Sequence, residues 1–288
     1  MYHNFKIPLN LDVKRIIEIS ESTRGSQAGQ DLFVVAMLGG AKAKTFLEVG
    51  AGQPDRMSNT YLLEKEFEFS GVSIDIDDCH FESWPRKKQF KRFYSDIKDP
   101  DWPDAESLDQ LPQHIQKECR DVHFYEQHVG KLPEYVSAGR NDWQNLRPLT
   151  QFYLADAVTF DYAQLECYYD YLQIDIDPLQ NFLALERIMA TSKEFAVITF
   201  EHDLWDHSDS SKIIKQLSQD LLMSLGYQLI ADNVTIEPGK GYGFPNEPMY
   251  FEDWYANPKY IDKSIIDAYR CIGTGFPKYY YQILFTQD

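Results

Sequence analysis

Cysteine is scarce in this chain. Cys79, Cys119, Cys167 and Cys271 lie far apart in 288 residues, with no Cys-x-x-Cys pair. That excludes the disulfide framework of a small secreted domain and a cysteine-built zinc site, and it suits reduced thiols in a cytoplasmic compartment. Long apolar runs are also missing: none approaches the ~18 residues that cross a bilayer, so no membrane partner is expected. The opening Met1-Tyr2-His3-Asn4-Phe5 has no signal-peptide core, which again suits a cytoplasmic protein. Basic residues are in deficit, 28 against 45 acidic, for a formal charge of -17. A field of that sign repels a phosphate backbone, so nucleic acid is not an expected partner. There is no internal repeat and no low-complexity segment. What remains is a globular composition, 43% hydrophobic and 15% aromatic, with length enough for a large core.

The chain is organised around Thr45-Phe46-Leu47-Glu48-Val49-Gly50-Ala51-Gly52, an apolar run that stops at two glycines. It reads as a first strand and a sharp exit turn, where glycine lets the backbone approach a ligand at the carboxyl end of a sheet. A second run, Gly71-Val72-Ser73-Ile74-Asp75, ends in the acid that would hold a ribose diol. A dinucleotide fingerprint would place a third glycine at Asp55. An anion there opposes a pyrophosphate and so counts against an NAD-dependent oxidoreductase. Together with Glu48 it suits a cationic, phosphate-free ligand, S-adenosylmethionine.

The rest of the chain repeats strand, acid and helix. Further strands are expected at Phe152 to Ala157, Tyr171 to Asp177, Phe195 to Asp203, Tyr227 to Ile236 and, antiparallel, Met249 to Tyr255. Helices are expected at Leu11 to Ser22, Leu32 to Leu38, Tyr61 to Phe67 behind a Ser58-Asn59-Thr60 cap, a basic Phe81 to Phe93, Leu179 to Met189, Lys212 to Leu225 and Ile261 to Ile272. These predict one Rossmann-like, doubly wound, seven-stranded and mostly parallel α/β domain over 1–288, with a helical lead-in at 1–44. Between about 94 and 149 the rhythm breaks among prolines and tryptophans, which predicts an inserted lid with short helices of its own, such as Leu108 to Cys119.

Several of these segments taken together, Ser26-Gln27 with Gly29-Gln30-Asp31, Phe46 to Gly52, Ser58-Asn59-Thr60 with Leu62-Leu63-Glu64, the strand ending at Asp75, Asp156-Ala157 and Asp175-Ile176-Asp177, resemble the FkbM-like S-adenosylmethionine-dependent methyltransferases. Glu252-Asp253-Trp254 is similar to that family's last strand. The family often has Glu-Pro-Asn where this chain has Asp75-Ile76-Asp77, and Asp-x-Glu-Gly where it has Asp175-Ile176-Asp177-Pro178; acid is kept at each place. The resemblance implies O-methylation of a sugar, a glycan or a related small molecule.

In that reading Glu48, Gly50, Gly52 and Asn59 serve the amino acid end of the cofactor, Asp75 the ribose, and Asp156 with Ala157 the adenine. Methyl transfer to oxygen needs a base for the hydroxyl proton. Asp175, Glu201 and His202 are the catalytic candidates, and His202 leads because an ordinary imidazole titrates near neutrality. Asp175, Asp177, Glu201 and His202 could instead hold Mg²⁺ or another divalent cation. A catalytically inert scaffold of the same fold is the non-enzyme alternative.

Overall fold

The structure is a computed structural model that describes residues 13–20, 22, 24–52, 57–75, 147–176, 178–206, 208–236 and 249–270. The expected basic helix at Phe81 to Phe93, most of the expected lid, and Asp55 and Asp177 lie outside the described residues.

Seven strands form one sheet: β1 (Thr45–Val49), β2 (Ser70–Asp75), β3 (Thr150–Leu154), β4 (Tyr168–Ile174), β5 (Glu194–Glu201), β6 (Gln228–Ile236) and β7 (Met249–Ala256), in the order β3-β2-β1-β4-β5-β7-β6. The first five are parallel, and β7 runs antiparallel between β5 and β6. This is the doubly wound, mostly parallel architecture expected. Six helices are described: α1 (Val13–Ser20), α2 (Gln30–Met37), α3 (Tyr61–Phe67), α4 (Pro178–Ala190), α5 (Asp209–Ser224) and α6 (Lys263–Arg270).

Parallel strands covered on both faces need near-continuous apolar runs, and successive residues go to opposite cores. Phe46, Tyr171 and Val197 pack under α1, α2, α3 and α6, where Phe33 stacks on Trp254 with ring centroids 4.4 Å apart. Their neighbours Leu47, Leu172 and Ile198 pack under α4 and α5 on the other face. α4 opens with Pro178, whose fixed φ and missing N–H suit a first helical turn.

Some boundaries differ from expectation. β3 stops at Leu154, and Asp156 and Ala157 lie in the turn beyond it. The reason is local: Asp156 Oδ1 accepts the Val158 N–H at 2.8 Å, and its carbonyl accepts those of Thr159 and Phe160, which bends the chain out of the sheet. α2 starts two residues early because Gly29 takes a left-handed conformation (φ 86°) and Gln30 Oε1 accepts the Ala28 N–H at 2.8 Å. Among the described residues no helix is long and apolar enough to cross a membrane.

β2 and β3 lie on one side of β1, β4 and β5 on the other. The crevice outside the carboxyl ends of β1 and β4 is therefore the switch point at which open α/β sheets bind ligands.

Candidate active site at the carboxyl edge of the sheet

The three central strand tips are stitched together. The Gly50 N–H donates to Ile74 O, and the Asp175 N–H to Val49 O, each at 2.9 Å. Gly50 has φ 84°, and a Cβ placed on it would stand 1.7 Å from the Asp175 carbonyl oxygen. Gly50→Ala adds that collision to a left-handed strain of about 1–3 kcal/mol, so the variant should melt well below the parent; an unchanged melting temperature would refute this reading of the turn.

Gly52 (φ 56°) plays the other part. Among the described residues nothing lies within 4 Å of the place a Cβ would take. Its N–H donates to Asp75 Oδ2 at 2.7 Å. Asp75 O in turn accepts the Ala155 N–H at 2.7 Å, which sets half-buried Asp156 and buried Ala157 just beyond the neighbouring tip. The structure thus gathers Gly50, Gly52, Asp75, Asp156 and Ala157 along one edge.

Glu48 does not join them. It is buried, and its two oxygens accept the hydroxyls of Thr60 (2.8 Å) and Ser73 (2.5 Å). Burial pushes its carboxyl above the ordinary range, while the Arg147 guanidinium and the two hydroxyls act the other way. Its role is to fix the loop that carries Asn59.

Arg147 is the functional residue that the sequence did not reveal. It is fully buried and donates to Glu64 Oε2 (2.8 Å), Thr60 Oγ1 (2.8 Å), Ser58 Oγ (3.2 Å) and Thr150 Oγ1 (3.3 Å). Ser58 Oγ also accepts the Tyr61 N–H at 3.0 Å. One guanidinium therefore clamps both neighbours of Asn59 to β3. The available signal was a charged residue directly ahead of a strand, which reads equally as loop.

Cross-strand register aligns Asp75, Gly50, Asp175, Glu201 and Glu252 along the carboxyl edge. Asp175 and Glu201 share a hydrogen bond, and Asp175 also accepts one from Asn59. Two carboxyl groups bond to each other only when one is protonated. Burial pushes Asp175 above the ordinary carboxylate range, and it pushes Glu201 well above it, with Asp175, Asp203 and Glu252 adding to the rise. Glu252 is likewise raised by burial and accepts the Trp254 Nε1–H at 2.5 Å. Asn59 is 5% exposed, and its Oδ1 has no hydrogen-bond partner.

His202 corrects an expectation. It follows Glu201 by one residue, and alternation sends the two side chains to opposite faces. Glu201 stays at the crevice, while His202 is fully buried against β7. Its Nδ1 accepts the Leu204 N–H at 3.2 Å, which puts the ring proton on Nε2, 3.2 Å from Asp253 Oδ1. Neither nitrogen is free to take a proton from an acceptor, so His202 is a strut and not the base. Asp253 is the hub it supports, receiving also the Asn233 N–H (2.8 Å), Gln219 Nε2 (2.9 Å) and Lys215. Burial alone would raise that carboxyl, but donation from His202 and the Lys215 ammonium bring it down to about 2.

The same flip dissolves the expected metal set. His202 points away from Asp175 and Glu201, which are bonded to each other, and Asp177 lies outside the described residues. Among the described residues no three histidine, cysteine or acidic side chains converge as metal ligands.

Strand order, switch point and paired tips define a Rossmann-like α/β fold. No protein-family model matches the chain, and no curated protein matches it. Solved structures that share its path include an O-methyltransferase from Bacillus cereus in complex with S-adenosylhomocysteine (11% identity, 87% of this chain and 94% of that one, TM-score 0.41). Another is the O-methyltransferase TomG from Streptomyces achromogenes, in complex with S-adenosylmethionine (11%, 89% and 92%, TM-score 0.40). A third is described as an rRNA methylase from Clostridium thermocellum (11%, 80% and 97%, TM-score 0.40). At these identities and scores the likenesses add no argument, and the fold rests on the strand order itself.

Proposed function

We propose that the protein is an S-adenosylmethionine-dependent methyltransferase of the FkbM-like kind, which methylates a hydroxyl of a carbohydrate or related polyol. The observation that carries this reading is the edge between β1 and β4. There Gly52 is tied to Asp75, and Asn59 holds a buried oxygen that no donor among the described residues reaches. A buried acceptor without a partner is costly unless a ligand supplies one, and the cofactor's ammonium is such a donor. Asp75 would hold the ribose and Asp156 the adenine amino group.

When bound, the cofactor supplies an electrophilic methyl on a sulfonium. The chain must align an acceptor oxygen with that methyl and take the hydroxyl proton as the new O–C bond forms and the S–C bond breaks. With His202 committed to Asp253, the Asp175–Glu201 pair is the base, and the proton ends on that pair.

The test is calorimetric titration with S-adenosylmethionine and, separately, NAD. Micromolar binding of the first alone, weakened at least tenfold in Asp75→Asn, is the expected result. Absence of binding, or an affinity indifferent to Asp75, would sink the proposal.

A further inference from the structure

Among the described residues, the buried side-chain polar atoms without a hydrogen-bond partner include Asn59 Oδ1 and both Nε2 and Oε1 of Gln173. They belong to one region. Gln173 is the last residue but one of β4, in register with Glu48 on β1 and Thr199 on β5. By alternation it shares the face of Asp175, the residue that Asn59 binds. Gln30 opens α2, which covers that face, and its amide donates to Glu252, next to Glu201 in the row of tips.

The other polar groups of the row are already engaged. Glu48 is held by Thr60 and Ser73. Thr199 Oγ1 bonds the Tyr171 hydroxyl at 2.8 Å, and Trp254 Nε1 donates to Glu252. Gln173 alone keeps both its donor and its acceptor unused, although it is 1% exposed and sits between apolar Leu172 and Ile174 on the central strand. Strand packing by itself would be better served by leucine. Successive residues rise about 3.3 Å, so Gln173 lies roughly two rises below the Asp175–Glu201 pair, beneath the place of reaction.

We propose that Gln173 and Gln30 are the floor and wall of a specificity subsite, which binds a neutral group of the methyl acceptor that both donates and accepts hydrogen bonds. The subsite offers the amide donor and the amide acceptor of Gln173, with Asn59 left to the cofactor. Glu252 and Glu201 border it, and neither brings a positive charge that would pair with an anionic substituent. This rests on the methyltransferase reading only in calling the occupant the acceptor; the unpaired amide of Gln173 stands without it.

The experiment uses the full chain, with and without saturating S-adenosylhomocysteine. Glycerol, myo-inositol and D-glucose serve as neutral probes, D-glucosamine as cation and D-glucuronate as anion. Binding is read by saturation-transfer NMR and by crystal soaks. At least one neutral probe should bind against Gln173. Gln173→Leu and Gln30→Leu should weaken it tenfold or more, with S-adenosylhomocysteine affinity changed less than twofold. Gln173→Leu should also melt at or above the parent's temperature, because an unpaired amide gives way to an apolar side chain. Ordered water alone in the recess, binding of only a charged probe, or a Gln173→Leu variant that melts lower yet keeps neutral-probe affinity would each overturn the subsite. If neutral probes bind but neither S-adenosylhomocysteine nor S-adenosylmethionine does, the cofactor reading falls and the subsite stands.

Discussion

Replacing Arg147 with methionine is expected to cost about 3–5 kcal/mol of stability, the range for removing one partner of a buried ion pair. The side chains of Arg147 and Glu64 are 0% and 1% exposed, so solvent does not screen the pair. Without the guanidinium, Glu64 keeps the Thr150 hydroxyl at 2.5 Å and loses its buried countercharge. Ser58 and Thr60, which flank Asn59, lose the donor that ties them to β3. Cofactor affinity should therefore fall together with stability. Arg147→Lys keeps the charge but not the fork that reaches four oxygens, and should recover only part of the loss. Removing both charges, as Arg147→Met with Glu64→Leu, should recover most of the stability and none of the clamp. Urea unfolding of the four proteins checks this. A single Arg147→Met within about 1 kcal/mol of the parent would show that the clamp is not the strut proposed.

The strands were legible because a parallel sheet covered on both faces demands near-continuous apolar runs, and Phe46 to Val49, broken only by Glu48, or Phe195 to Phe200, broken only by Thr199, can hardly be anything else. Gly50 was legible for an equally local reason, a turn that no side chain fits. The Arg147 clamp was not, because its partner Glu64 is 83 positions away and the stretch leading up to it, from about 94, has no periodicity to place it. Gln173 hid inside an apolar run, where one amide does not disturb the pattern. His202 misled because Glu201-His202-Asp203 reads as a single polar cluster, whereas the pleat divides it between the crevice and the α5 side. Chemistry that depends on which face a residue takes at the last position of a strand cannot be read from the cluster alone.

Affinity for S-adenosylmethionine should rise with pH, by up to tenfold per unit for one proton displaced, while affinity for S-adenosylhomocysteine should stay nearly flat. Burial raises both Asp175 and Glu201 above the ordinary 3.8 and 4.5, so the unliganded pair favours holding a proton. A sulfonium beside the pair favours its ionised form, so the proton leaves on binding; the thioether of the product exerts no such pull. Displacing a proton is easier as pH rises, hence the sign, and the slope should vanish once pH passes the raised titration of the free protein. The same raised groups stabilise the unliganded fold fully below their unfolded pKa values, and that contribution is lost as pH rises through the folded ones. The bound state then holds an ionised pair ready for the acceptor's proton, and its reprotonation after transfer coincides with loss of the cofactor's charge, which favours product release. Glu201→Gln keeps a hydrogen bond to Asp175 from an amide and removes the shared proton, so its profile for S-adenosylmethionine should flatten. Calorimetry in phosphate and in Tris counts the protons directly. Parallel profiles for the two ligands on the parent protein would leave the pair without its role as base.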